Sequence, residues 1–432
     1  MAEIHPFRAI RYDVARVGAL SQVIAPPYDV IDPALQDRLY QLSPYNAIRL
    51  ELNRAESGDV PGRDRYTRAA AYLRDWLRAG ILRPDDAPAL YVYHQIFEVD
   101  GQSHTRKGFF ARVRLERFGE GQIFPHEQTL SGPKADRLKL YESTGTQLSP
   151  IFGIYPDQGA RVLAAVEAGI RDRTPLEATD HLGVVNRLWT VTDARIHTVV
   201  QGLMADRPIF IADGHHRYET GIAYRDALEA AGQLAGRDDP AHFAMMMLVG
   251  MDDPGLIIQP THRLIAGYPG LTASRLAEIL AAEFDVTFHG EGPSGARQTW
   301  DQIQLTGDQD TLGFGTTADG RWLTAHLRSH AIMEQLVPHQ SPQWRALGVS
   351  ILHELAVAHL LKDLGTPEFR YVHRLDEVID DITQRGCDLA ALVPPATMHH
   401  VQAIASHHEK MPPKSTYFFP KILTGLVFNP LR

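Results

Sequence analysis

The sequence predicts a mixed α/β (α+β) protein. Three observations carry that prediction. Short apolar runs of strand length alternate with segments whose apolar residues recur at helical spacing. Gly, Pro and Asp-Gly punctuate the runs at turn positions. No repeat and no low-complexity segment interrupts the pattern.

Taken in order, Val23-Ile24-Ala25 reads as a strand that Pro26-Pro27-Tyr28-Asp29 takes out of the sheet, since proline cannot donate to a ladder. Ile48-Arg49-Leu50-Glu51-Leu52 alternates apolar and charged residues, which predicts a second strand. After a loop at Asp59 to Gly62, residues Tyr66, Ala69, Ala70, Leu73, Trp76 and Leu77 define a helix stopped by Gly80. Leu90 to Val99 and Lys107 to Leu115 form a hairpin about Asp100-Gly101. Phe124 to about Lys139 reads as a polar loop. Ile151 to Tyr155 is a strand, Ala160 to Ile170 a helix, Trp189 to Thr192 a short strand and Asp193 to Met204 a helix. Ile209 to Ala212 is a strand, Arg217 to Ala231 a helix, and Phe243 to Gly250 and Leu256 to Gln259 are strands. Gly267 to Gly270 reads as a boundary. Beyond it come a helix from Thr272 to Phe284 and strands around Thr311 to Phe314 and Trp322 to Leu327. An apolar helix from Ser350 to Leu361, a buried strand from Leu389 to Val393 and a helix from Thr397 to His408 complete the order. The expected division is an N-terminal extension over 1–120, a core over 121–266 and a C-terminal α/β domain over 267–432.

A chain of 432 residues is expected to form two or three domains. The net charge of -9 counts against nonspecific nucleic-acid binding, which needs a basic surface. One cysteine, Cys387, excludes an intrachain disulfide and a cysteine-based zinc site. No basic-then-apolar leader opens the chain, and no run approaches the roughly 20 apolar residues of a membrane span. A cytoplasmic protein without a membrane partner is the expectation.

Three segments carry chemistry. The first is Asp213-Gly214-His215-His216-Arg217, where an apolar strand ends and a helix opens. Unpaired N–H groups, the positive dipole end and cationic side chains suit a phosphate-like anion there. A tight turn with a capping Asp is the plain alternative. The second is Phe124 to Arg137, which includes Glu127, Thr129, Ser131, Lys134 and Arg137. Glu127 suits a general base, and the hydroxyls and cations suit phosphate oxygens. A helix start with solvated Asp136 and Arg137 is the alternative. The third is Met411 to Lys421, in which Lys414-Ser415-Thr416 offers a cation and two hydroxyls but no Walker glycines precede it. A C-terminal packing segment is the alternative.

Other motifs are missing. His353-Glu354 with His359 lacks the His-Glu-x-x-His spacing, Gly313 and Gly315 lack the dinucleotide context, and there is no Gly-x-Ser-x-Gly elbow. His399-His400 and His407-His408 fit a wet helix face better than a metal site, and Cys387 has no neighbour in sequence to activate it.

Asp213 to Arg217 after an apolar strand resembles the phosphate-binding motif of the ParB/sulfiredoxin superfamily. Pro125-His126-Glu127-Gln128, Asp213 to Arg217 and Pro413-Lys414-Ser415-Thr416 resemble, in the same order, three motifs of the free L-serine kinases of that superfamily. Ala25 to Val30, Glu127 to Arg137 and the Lys414 region are similar to the family called domain of unknown function 1015, over nearly the whole length. The kinase resemblance implies a ParB/sulfiredoxin-like core and a small-molecule phosphotransferase that interconverts free L-serine and O-phosphoserine. Glu127 would be the base. Asp213 would polarise the hydroxyl or position the metal, and Gly214, His215, His216 and Arg217 would hold phosphate. Lys414, Ser415 and Thr416 would close the far side. Mg²⁺ is the expected metal, with unknown protein ligands, and ATP, ADP or pyrophosphate is the donor. The sequence departs from the compact kinases in its N-terminal extension and in the long insertion between Glu127 and Asp213. Two other readings stay open: a nucleotide-dependent DNA-binding protein of the ParB kind, and a phosphometabolite sensor without catalysis. Oligomeric state is not legible.

Overall fold

The computed structural model describes residues 2–127, 131–407 and 409–432, with Ser131 described by its backbone alone. Helices and sheets are mixed throughout, as the sequence pattern predicts. The chain forms two units. One comprises Met1–Pro125, Thr129–Ile257 and Pro420–Arg432, and the other His126–Gln128 and Ile258–Phe419.

Among the described residues, the first unit holds a nine-stranded sheet. Its spine is the hairpin of Leu90–Val99 and Gln102–Arg114. The turn between them needs two left-handed residues, and Asp100 (φ 52°) with Gly101 (φ 74°) supplies them. Phe243–Gly250 pairs antiparallel with Gln102–Arg114 and parallel with Ile151–Tyr155. Ile151–Tyr155 in turn pairs antiparallel with Ile209–Asp213. Phe243–Gly250 is an unbroken apolar run (Phe-Ala-Met-Met-Met-Leu-Val), buried until its closing glycine, as a strand covered on both faces should be. Val92, Phe109, Ile151, Ile211, Tyr218, Met246 and Leu248 meet in one core. Tyr218 joins it from the helix His215–Ala230, so the strand Ile209–Asp213 and the helix that follows it are packed against the same apolar cluster.

The second unit holds a six-stranded sheet among the described residues. Its order is Phe284–Glu291, Arg321–Leu327, Thr311–Thr316, Leu389–Leu392, His262–Ala266 and Glu368–Val372, with every neighbour antiparallel. Helices Gly292–Thr306 and Leu375–Thr383 cover it through Ala296, Ile303, Val378 and Ile382.

Two expectations are corrected and a third, borne out as a helix, is refined. Ile48–Glu51 is a short helix, not a strand: the Asn46 side chain accepts from the Ile48 amide, and Glu51 is as buried as its apolar neighbours. The alternation misled because Glu51 ion-pairs with Arg137 inside the unit, at 3.3 Å. The polar stretch read as a loop becomes the helix Ser131–Thr144 from its eighth residue onward. Its charges are taken up by Glu219 and Arg65, so polarity there does not mean solvent. The helix Ser350 to Leu361 winds as a π-helix over Ile351–Leu360, which brings His353 beside Arg263.

Candidate functional site

The Asp213 corner is built in the first unit. Ile209–Asp213 carries the chain to Gly214, which adopts φ 93°, a conformation glycine enters without strain. A Cβ at Gly214 would lie 2.9–3.0 Å from the Arg217 guanidinium. The bare backbone therefore lets Arg217 fold back from the first helical turn. Its Nη2 donates to Asp213 Oδ2 at 2.7 Å, and its Nη1 donates to the Pro150 carbonyl. On the other carboxylate oxygen, Lys421 Nζ lies 3.0 Å from Asp213 Oδ1. Burial alone would raise the Asp213 pKa. Lys421, Arg217 and then His215 outweigh it and hold the carboxyl well below the usual carboxylate range. His215 is buried in the first helical turn and His216 half-buried.

Tyr28 and Asp29, from the Pro-Pro-Tyr-Asp segment, lie within electrostatic reach of Arg217. Burial first, then Asp29, lifts the Tyr28 phenol to about 12, against the pull of Arg217 and Arg137. Arg137 sits 4.2 Å over the Tyr28 ring and donates to the Glu51 carbonyl at 2.9 Å and to Asp136 Oδ2 at 2.7 Å. Lys134 pairs with Glu219 at 2.7 Å. Lys134, Arg137 and Arg217, three of the cations expected from the sequence, are thus present in this unit, each with an acidic partner.

Lys421 closes the third segment, and its pairing with Asp213 follows from contacts the sequence does not advertise. Arg106, fully buried, donates through Nη2 to the Pro420 carbonyl and to Gln95 Oε1. Gln95 Nε2 donates to the Lys421 carbonyl at 3.1 Å and to Asn186 Oδ1 at 3.2 Å. Burial pulls the Arg106 guanidinium down to about 10, with Asp253 and Asp213 among the groups that oppose the shift.

The second unit brings His126 and Glu127 of the second segment together with Met411 to Thr416 of the third. The Met411 amide donates to the His126 carbonyl at 2.7 Å, and a parallel bridge joins Glu127 to Met411. Thr416 Oγ1 lies 2.8 Å from His126 Nε2 and donates to Glu127 Oε1 at 3.4 Å. Ser415 is buried, its hydroxyl donating to the Pro412 carbonyl at 2.5 Å. Exposed Lys414 has φ 56°, an unusual value for a non-glycine. Arg263 steadies that turn by donating to the carbonyls of Lys414 (3.0 Å) and Pro413 (3.4 Å). Arg263 Nε also donates to His353 Nε2 at 3.4 Å. Burial, with Arg263 adding to it, takes His353 down to about 3, so it is neutral and able to accept. Thr129 lies outside the described residues, as does the side chain of Ser131, which opens its helix.

Among the described residues no cluster of three metal-ligating side chains occurs, and both Asp213 oxygens already face cations. The described residues therefore do not form a protein cage for Mg²⁺. Among the described residues no helix is long and apolar enough to cross a membrane.

The chain belongs to a family described as protein of unknown function (DUF1015), whose model matches residues 4–350. No curated protein matches it. Solved structures similar to it include a conserved hypothetical protein from Pyrococcus furiosus (14% identity, 70% of this chain and 89% of that one, TM-score 0.33). A free serine kinase in complex with AMP matches at 12% identity over 70% of this chain and 89% of the other, with TM-score 0.32. SbnI with C-terminal truncation from Staphylococcus aureus matches at 11% identity over 74% and 87%, with TM-score 0.34. At these values the likeness carries no argument about activity.

Proposed function

We propose that this chain is a small-molecule phosphotransferase acting on an alcohol, with free L-serine and O-phosphoserine as the pair it interconverts and ATP, ADP or pyrophosphate as donor. One observation carries the reading. The Pro-His-Glu and Lys-Ser-Thr segments, paired by their resemblance to serine-kinase motifs of the ParB/sulfiredoxin superfamily, meet in the second unit through His126 and Thr416, which are 290 positions apart. The Asp213 corner supports it with a helix N-terminus, two histidines and two cations gathered on one carboxylate.

In this reading Glu127 accepts the proton of the substrate hydroxyl. The oxygen attacks the terminal phosphorus of the donor, the new P–O bond forms, and the bond to the leaving phosphate breaks with its electron pair. The Asp213 corner holds donor phosphate, and its cations neutralise charge that builds on the transferred group. Thr416 orients the Glu127 carboxylate. Lys134, paired with Glu219, and Arg137, paired with Glu51, support this corner in the proposal.

The test incubates the protein with serine, Mg²⁺ and each donor in turn, and follows phosphoserine by mass spectrometry in both directions. Turnover is expected with one donor. Glu127→Gln should lower it by about 10²–10⁴-fold, the range for a general base, while donor binding persists. Absence of turnover with every donor overturns the serine assignment. Donor binding without turnover, unchanged in Glu127→Gln, would favour a phosphometabolite sensor.

A further inference from the structure

We propose that Lys421 is a phosphate-contacting residue of the Asp213 corner, delivered there by a buried clamp on the backbone of residues 420 and 421; this rests on reading that corner as the site for donor phosphate. Asp213 divides its two oxygens between two cations, Oδ2 to Arg217 and Oδ1 to Lys421. The two cations are held differently. Arg217 is 3% exposed, and its guanidinium is fixed from a second side by the Pro150 carbonyl. Lys421 reaches Asp213 on a flexible four-carbon stem and is 12% exposed. That stem lets the ammonium turn from the carboxylate to an incoming phosphate oxygen. Asp213 would then keep Arg217, so the exchange leaves no bare carboxylate behind.

The backbone that carries Lys421 is held unusually firmly. Arg106, with none of its surface exposed, donates to the Pro420 carbonyl, and Gln95 donates to the Lys421 carbonyl at 3.1 Å. Asn186 holds Gln95 in turn at 3.2 Å and receives the Tyr93 hydroxyl at 2.5 Å. Burying a guanidinium is costly unless its hydrogen bonds are well made. Placing one on the Pro420 carbonyl, with Gln95 on the next carbonyl, makes sense if the Lys421 side chain must start from a set point. Lysine binds phosphate as a compact point charge, which suits it to follow the moving phosphoryl group.

Pyrophosphate and inorganic phosphate are the probes, with equilibrium binding measured on the full chain. Denaturant stability is read in parallel. Lys421→Met should weaken pyrophosphate binding about tenfold or more, the scale of one charge-assisted hydrogen bond, and Lys421→Arg should stay within a few-fold of wild type. A merely structural lysine would only neutralise Asp213. In that case the double variant D213N/K421M, which removes both charges, regains stability and affinity together. The proposal predicts that it regains stability without affinity, and it also serves if Lys421→Met alone fails to fold. Wild-type affinity in Lys421→Met, or in the double variant, overturns the role of Lys421 and leaves the corner reading intact. If the wild type binds neither probe, the corner reading falls and this inference with it.

Discussion

The Asp213 corner and the Glu127–Thr416 cluster place a carboxylate by opposite means. Asp213 is fixed by two full positive charges at 2.7 and 3.0 Å. Glu127 is approached by a neutral hydroxyl at 3.4 Å, and its segment is held through backbone pairing with Met411. Charge pairs at short range make a stiff frame with a stabilised anion. A long contact from a neutral hydroxyl orients a carboxylate without a short charge pair. The difference matches the tasks proposed for them: one carboxylate organises cations, and the other does proton chemistry.

The largest expected effect tests the stiff side. Arg217→Met removes a buried guanidinium from Asp213 and from the Pro150 carbonyl at once. Breaking a buried pair by deleting one partner costs about 3–5 kcal/mol, to be read from the shift in urea midpoint. Arg217→Lys should recover only part, because an ammonium cannot reproduce the two-directional fork. A cost below about 1 kcal/mol, the range of exposed pairs, would mean that the corner is not held by charge.

How much of this contrast the sequence disclosed follows from where each contact is made. The corner was legible because Asp213 to Arg217 is local: one strand, one glycine and one helical turn bring Asp213 and Arg217 together. The role of Arg217 was less legible. Arg217 reaches back from the first helical turn to the strand end at Asp213, yet nothing in sequence marks the Pro150 carbonyl as its second acceptor. Lys421 escaped because its pairing depends on Arg106 and Gln95, more than 300 positions away. The helix Ser131–Thr144 is hidden by its polarity, since buried Arg137 and Glu51 and half-buried Asp136 and Arg65 form one ion-pair chain. The helix Gly292–Thr306 is not legible in the sequence because it opens with Gly-Pro-Ser-Gly, residues of low helix propensity. The π-wound stretch Ile351–Leu360 shares its apolar composition with an ordinary helix, so only the fold shows its winding.

Acid sharpens the comparison with an intermediate effect. The Asp213 carboxyl is depressed in the folded chain, despite burial, by Lys421 and Arg217. A depressed carboxyl contributes stability that is complete above its ordinary value of about 3.9 and is lost as pH falls through the lower folded value. Each unit of depression corresponds to about 1.4 kcal/mol. Wild type should therefore lose stability more steeply than Asp213→Asn between about pH 5 and pH 2, measured by denaturant titration at each pH. Equal slopes would show that Lys421 and Arg217 do not hold an ionised Asp213 in solution.

The smallest expected effect lies on the loose side. Thr416→Val keeps the volume of the side chain and deletes the hydroxyl that meets His126 at 2.8 Å and Glu127 at 3.4 Å. His126 is fully buried, so it loses one hydrogen-bond partner, at a cost of about 1 kcal/mol. The Met411 amide, bonded to the His126 carbonyl at 2.7 Å, does not depend on that hydroxyl and should keep its protection from hydrogen exchange. Turnover should fall with KM nearly unchanged, because the orientation of the base is disturbed while the phosphate corner is untouched. If Thr416→Val instead costs as much stability as Arg217→Met, the hydroxyl is a structural keystone and the two carboxylates are not held on different principles.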